Sequence, residues 1–462
     1  MVIGGGTVYT PDGPRELDVD VREGRVAALE PWSAHRHGAD YVDARGLSVL
    51  PGAIDLHVHG RDPGWPEKET FATLTDAAAL GGVTTVVDMP NTLPGVFNAG
   101  VFERKLSRVQ PQARVDFGLW GLVRSTTMPE DLVGLARAGA AGFKAYLGYA
   151  FRTQVGQVTY EADGSDVEPP PEYGTLASLA STFAELGLPV AVHAEDPSTL
   201  RAFSRPAWSY DDLLGARPAV AEAIAVASTG AIAREGGFRL HIAHLSSVAG
   251  LAALEAARRS GAEVTAETTP HHLFLTAADA ARLGALLKAY PLVRGGDDRD
   301  ALRSALVSGA IDAVATDHAP HTDAEKLGAD FETAAAGTAG VQYLLLACLE
   351  LARQRRDLGL AALWAARRPA EILGLYPRKG AVQEGSDADL VLVDLDASTE
   401  AGPGIAGSRQ RHSALDGLRL SAGIREVYLR GTPLVRAGQL LAGARVGAFV
   451  SPCAGKGSST AR

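Results

Sequence analysis

Cysteine is nearly missing from this chain: Cys348 and Cys453 are its only two, far apart in sequence and in no CxxC metal or redox spacing. That usage fits a cytoplasmic chain made in a reducing compartment, and no disulfide is expected. Long apolar runs are missing too. No stretch approaches the ~20 apolar residues of a membrane helix, and the N-terminus, Met-Val-Ile-Gly-Gly-Gly, has no basic region followed by an apolar core. Membrane insertion and a signal peptide are not expected. Basic runs are absent as well: 44 Lys+Arg stand against 54 Asp+Glu, a formal charge of −10, so nucleic acid is not an expected partner. What remains, 46% hydrophobic and 21% charged residues over 462 positions, is the balance of a globular protein with a large core.

Short strands open the chain at Val2 to Tyr9, Leu17 to Arg22 and Val26 to Leu29, separated by Pro-Asp-Gly and Glu-Gly turns. A matching set lies near the other end, Ala388 to Asp394 and Glu426 to Arg430. Neither piece alone can cover its apolar face, so the two are expected to join into one small sandwich. Between them, eight apolar runs alternate with Ala/Leu-rich helical stretches: Ile54 to His59, Val83 to Asp88, Val115 to Leu119, Gly142 to Leu147, Pro189 to His193, Arg239 to His244, Glu263 to Glu267 and Ile311 to Thr316. Helical patterns include Phe71 to Leu80, Leu176 to Leu186 and Val220 to Arg234. The fold class is therefore α/β: a (β/α)₈ TIM barrel over residues 51–380, with a composite β-sandwich from 1–50 and 381–450, and a flexible tail at 451–462. The stretch from Gln154 to Pro171 reads as a loop over the barrel mouth.

Titratable or metal-capable side chains end one apolar run after another: His57 and His59, Asp88 and Asn91, Lys144, His193, His244 and Asp317. Barrel enzymes keep their chemistry at that end of the strands. His57 and His59 stand at i and i+2, on one side of a strand, where both imidazoles can bite one ion. His193 and His244 each end an apolar run, where an imidazole needs a partner to offset its desolvation. Asp317 offers a carboxylate that can touch a metal and also take a proton from water, a dual role suited to a hydrolase. Lys144 is a cation beside this set. It either pairs with Asp or Glu in a buried salt bridge or is carbamylated into an anionic ligand, and the residues alone leave both open. His241 reads as structural, and His35, His37 and His412 lie outside the barrel.

The stretch Pro51-Gly52-Ala53-Ile54-Asp55-Leu56-His57-Val58-His59-Gly60-Arg61-Asp62-Pro63-Gly64 resembles the opening metal motif of the amidohydrolase superfamily, in its cyclic-amide branch of dihydroorotases, allantoinases and hydantoinases. Met89-Pro90-Asn91-Thr92, Gly142-Phe143-Lys144, His193-Ala194-Glu195, His241-Ile242-Ala243-His244, Thr269-Pro270-His271-His272 and Ala315 through His321 resemble its later motifs in order. The resemblance spans essentially the whole chain. It implies two zinc ions bridged by N6-carboxylated Lys144 and a hydroxide, with His57, His59 and Asp317 on one ion and His193 and His244 on the other; cobalt or manganese would suit the same ligands. Asp317 would pass a proton to the departing amide nitrogen. Arg61, Asn91 and His321 resemble the dihydroorotase residues that hold the substrate carboxylate, as a bidentate arginine with an amide can.

The resemblance thus implies an enzyme hydrolysing a small-molecule cyclic amide, with dihydroorotate and N-carbamoyl-aspartate as the leading pair. Gly60, where dihydroorotases carry a bulky apolar residue, and Tyr290, where Asn or Arg is expected beside the substrate, favour the alternative: an allantoinase, a hydantoinase or a relative acting on another cyclic ureide, imide or lactam. An inactive barrel scaffold is the remote alternative. Relatives of this kind form homo-oligomers, dimers or tetramers, and the same is expected here.

Overall fold

The computed structural model describes residues 1–33, 38, 40–160, 164–327, 330–405, 407–443 and 445–452. His35, His37, Asp163, Cys453 and all but the first two residues of the expected tail lie outside them. No described helix is long and apolar enough to cross a membrane.

Eight barrel strands follow the expected order: Ala53–Val58, Val83–Asp88, a third in two halves at Asp116–Leu119 and Gly121–Val123, then Phe143–Tyr146, Val190–His193, Leu240–Ile242, Val264–Thr268 and Ala313–Val314. Neighbours pair in parallel. A parallel bridge from Val58 to His318, with His59 N donating to His318 O at 2.7 Å, closes the last strand onto the first. The third strand breaks at Trp120, whose fully buried indole donates to Leu56 O at 2.9 Å and packs with small neighbours such as Ala191 and Ala313. Its first half pairs with the second strand and its second half with the fourth. The edge so exposed is covered by the end of the described chain. Phe117 N donates to Ala448 O at 3.0 Å, and Val450 N donates to Phe117 O at 2.8 Å. A Cβ on Gly447 would lie 2.0 Å from Val115 O, so only glycine permits that approach.

Both chain ends build a single nine-stranded sheet, joined where Ser48–Pro51 pairs antiparallel with Leu390–Asp394. Side chains alternate along it. Leu390 and Leu392 pack into the sheet's own core with Ile3, Val8, Val19 and Tyr428. Val391 and Val393 face the other way, into the barrel's core. Four of its strands, Tyr41–Asp43, Ser48–Pro51, Thr432–Arg436 and Gln439–Leu440, are too short or too mixed in polarity to read from sequence. Two other expectations change. The pattern Leu176 to Leu186 is two helices, Tyr173–Ser178 and Ala180–Leu186, meeting at Leu179. The loop over the mouth contains strands, Gln157–Thr159 and Val167–Glu168, both pairing with Ala150–Arg152.

At the N-terminal end of the barrel, a buried ion cluster ties sheet to barrel. Lys379 Nζ lies 2.8 Å from Asp116, 2.6 Å from Asp389 and 3.2 Å from Asp387. Arg430 also pairs with Asp116, and Arg378 lies 3.2 Å from Asp387. Burial alone would lower the Lys379 ammonium; the three carboxylates outweigh it and hold its pKa above the usual value.

Candidate active site

The C-terminal strand ends surround a cavity of about 680 Å³. Nine of the ten residues singled out in the sequence line it: His57, His59, Arg61, Asn91, His193, His244, Tyr290, Asp317 and His321. The tenth, Lys144, is fully buried, its ammonium 5.2 Å from the ring of Tyr146 in the cavity wall. Three of these residues hold backbone that L side chains rarely adopt: φ is 57° at Arg61, 37° at His244 and 48° at Asp317. Strain of that kind persists only where surrounding structure enforces it, and it gathers at functional sites. The enforcing contacts are visible. Buried Asp55 accepts from Thr316 N at 3.1 Å and His57 N at 3.3 Å, locking the ends of the first and last strands together. Glu222 accepts from Ser246 N at 2.8 Å and pins the turn after His244.

Partners settle which nitrogen of each imidazole carries hydrogen. His57 Nδ1 donates to Glu267 Oε1 at 2.5 Å, and His59 Nδ1 donates to Asn91 Oδ1 at 2.7 Å. Each Nε2 is left with a lone pair, 3.2 Å and 3.0 Å from the same Asp317 oxygen. Three acceptor atoms facing one another repel unless a cation lies among them, and a divalent metal with nitrogen and oxygen ligands fits that need. A second group sits beside it, with the His57 and His244 rings 5.2 Å apart. His193 Nε2 donates to Glu195 Oε2 at 2.9 Å, which leaves its Nδ1 aimed at His244 Nε2, 3.0 Å away. Burial, with Lys144 as the next cause, lowers the His57 pKa to about 4, and burial also lowers His193 and His244. These imidazoles are neutral at physiological pH, the state a metal requires.

Lys144 Nζ has no hydrogen-bond partner, and no carboxylate of the described residues pairs with it. The salt-bridge alternative for Lys144 therefore finds no partner. Burial lowers its pKa to about 8, with Glu267 and Asp317 pulling the other way. A buried amine with no direct partner among the described residues, set among metal-capable imidazoles, is left unsatisfied.

The remaining expected residues stand apart from these two groups. Arg61 Nε donates to Pro320 O at 3.3 Å, and the guanidinium pairs with no carboxylate of the described residues. His321 Nδ1 lies 3.2 Å from Lys68 Nζ and its Nε2 3.1 Å from Ala336 O, so this imidazole braces the wall beside Arg61. Asn91, expected at a substrate carboxylate, has its oxygen on His59, so it orients that imidazole as well as lining the cavity. Gly60 has a local cause: its N donates to Asp88 Oδ1 at 2.7 Å, and a Cβ would meet Leu74 at 3.0 Å. Asp88 itself pairs with buried Lys105 at 2.7 Å. His241 is structural, bonded to Glu267 at 3.1 Å, and His412 pairs with Asp323 outside the cavity.

Sequence reasoning left Glu195, Glu267, Tyr149, Tyr160 and Arg217 without roles. Glu195 and Glu267 orient His193 and His57; their signal was a carboxylate at, or two residues past, a strand end. Arg217 pairs with Glu195 at 2.5 Å and lies 3.8 Å over the Tyr290 ring. No strand-end pattern marks it, because it sits between two helices.

The amidohydrolase family profile matches residues 48–434. An allantoinase of Solibacter usitatus is 36% identical over 443 residues, covering 94% of this chain and 93% of its own. A dihydroorotase of Lactiplantibacillus plantarum is 36% identical over 389 residues, 83% of this chain and 86% of its own. Among solved structures, the L-hydantoinase of Arthrobacter aurescens superposes with a TM-score of 0.88 at 27% identity, over 97% of this chain and 99% of its own. Barrel, composite sheet and metal-capable strand ends thus define a hydrolase of the metal-dependent barrel class. The chain belongs to the amidohydrolase family, in its cyclic-amide branch.

Proposed function

We propose that this protein opens a cyclic ureide by hydrolysis at a binuclear zinc site, with a ring of the allantoin or hydantoin kind as substrate. The observation that carries the reading is the pairing of two convergent ligand groups with the counter-ion-free Lys144 amine between metal-capable imidazoles. His57, His59 and Asp317 would hold one ion, His193 and His244 the second, and carboxylated Lys144 would join them; carboxylation turns a misplaced cation into an anionic ligand. Once bound, the ions supply a Lewis acid for the ring carbonyl and lower the pKa of water.

The chain's own groups do the rest. Asp317, ionised at neutral pH, accepts a proton as water adds to the carbonyl carbon. It returns that proton to the ring nitrogen as the C–N bond breaks, leaving a ureido group and a carboxylic acid that loses its proton to water. Glu267, Asn91 and Glu195 keep His57, His59 and His193 in fixed tautomers.

The allantoinase-type reading takes precedence over the dihydroorotate reading that Arg61, Asn91 and His321 suggested. Relatives named allantoinase align over 94% and 99% of this chain, against 83% and 89% for those named dihydroorotase. One observation supports the second reading: Arg61 faces the cavity with no carboxylate of the described residues beside it. Opening rates for allantoin, hydantoin and dihydroorotate, by zinc-loaded protein and a metal-free control, test both. Metal-dependent opening led by allantoin is expected; fastest opening of dihydroorotate would reverse the order, and opening without metal would remove the mechanism.

A further inference from the structure

The cavity carries a second arginine whose placement the hydrolytic chemistry does not explain. Arg61 follows the first barrel strand, whereas Arg217 lies in the connection from the fifth strand to the sixth, between helices Tyr210–Ala216 and Ala219–Gly236. Both line the cavity. The two guanidinium groups thus reach one cavity from connections that follow different strands of the barrel.

Arg217 is fixed from two sides. Glu195 takes its Nε at 3.3 Å and its Nη2 at 2.5 Å, and the Tyr290 ring supports its face at 3.8 Å. Nη1 makes no hydrogen bond among the described residues, and the side chain keeps 14% exposure while its partner Glu195 has none. Two cationic N–H donors are thus held flat at the cavity wall, ready for an oxygen acceptor. Around them the wall is phenolic: Tyr149 and Tyr160 rings lie 4.6 Å apart, and Tyr160 and Tyr290 5.9 Å. The non-phenolic apolar lining is Trp65, Val158 and small alanines such as Ala319 and Ala334. An aliphatic arm set against Arg217 would desolvate its free N–H groups and offer them no acceptor in return.

We infer that Arg217, on its Tyr290 platform, is a specificity-determining residue that takes a carboxylate or ureido oxygen on the arm of the substrate ring. The enzyme then selects rings with an acceptor-rich arm over rings of similar size with an aliphatic arm. This rests on the cyclic-amide reading and narrows it to that substrate class.

Calorimetry on the zinc-loaded protein tests it with three ring-opened ligands: N-carbamoyl-aspartate with a carboxylate arm, diureidoacetate with a ureido arm, and N-carbamoyl-leucine with an aliphatic one. Wild type is expected to bind at least one polar-armed ligand ten times more tightly than the leucine compound, and which one does so tells carboxylate from ureido. Arg217→Gln can still hydrogen-bond Glu195, and should narrow that preference to less than threefold. Equal binding of all three by wild type, or an undiminished preference in Arg217→Gln, overturns the inference. Should Arg217→Gln lose its metal, Tyr290→Leu decides, because the Glu195–Arg217 pair stays: a preference reduced at least threefold supports the platform role, and an unchanged one overturns it. Binding requires no turnover, so a polar preference in a protein that opens no ring would sink the hydrolase reading alone.

Discussion

Opposite ends of one barrel bury two clusters of charge, and they are neutralised by different means. At the N-terminal end, Asp116, Asp387 and Asp389 enclose Lys379, with Arg430 and Arg378 at the edges. Anions and cations there match within the chain. At the C-terminal end, His57, His59 and Asp317 point acceptor atoms at one another, and Lys144 Nζ has no hydrogen-bond partner among the described residues. Buried charge is tolerated only when paired. The first cluster is complete as a structural tie; the second leaves facing acceptor atoms and an amine without partners among the described residues. Three carboxylates close together therefore do not by themselves make a metal site: an ammonium already fills the centre of one group, and lone pairs without a cation mark the other.

The comparison breaks most sharply at Asp317. Asp317→Ala is expected to lower turnover by a thousandfold or more, on the order of losing both a ligand and the proton carrier, and to reduce bound metal, read by elemental analysis. Retained turnover would show that the mouth cluster is as self-sufficient as the other. Lys379→Met should do the converse. It leaves three buried carboxylates without their central cation, an expected loss of about 3–5 kcal/mol in denaturant unfolding, with metal content unchanged. Because the Lys379 pKa is raised in the folded state, its contribution is fully present below the ordinary lysine pKa and lost as pH rises through the folded value. The stability gap between wild type and Lys379→Met should therefore hold constant from neutral pH to pH 9 and shrink only in stronger alkali; a gap that closes near neutrality would contradict the pairing.

Smaller changes sharpen the contrast. Glu267→Gln keeps the size of the group that fixes His57 while removing its charge, and metal affinity should fall by roughly 10–100-fold, measured by chelator competition. An unchanged affinity would mean that Glu267 only fills space. Phe449→Ala strips a half-buried ring from the strap that covers the third strand, where it packs 5.8 Å from Phe117. About 2 kcal/mol of stability should go, with metal content and substrate preference untouched.

Much of the mouth cluster was legible from the chain because barrel chemistry sits at strand ends, and a strand end is a local feature. A His-x-His pair after an apolar run, or Asp317 after the last run, can be recognised without knowing its neighbours. The orienting carboxylates were harder. Glu195 reads as one more charge at a strand end until His193 is seen to bond to it. The N-terminal cluster was not legible at all: Asp116, Lys379 and Arg430 have no shared motif, and they meet only because the split third strand and the composite sheet bring them together.

Sequence by itself determined the alternation of eight strands with helices, the return of the chain's end to its beginning, and the types of side chain at each strand end. These follow from periods of two and of about 3.6 residues, which neighbouring residues set. Closure of the barrel decided the rest. It chose which lone pairs face Asp317, left Lys144 without a paired carboxylate among the described residues, and brought Arg217 to the same cavity as Arg61. Those outcomes depend on partners as far apart as His57 and Glu267, separated by 210 positions, and no local pattern encodes a contact at that range.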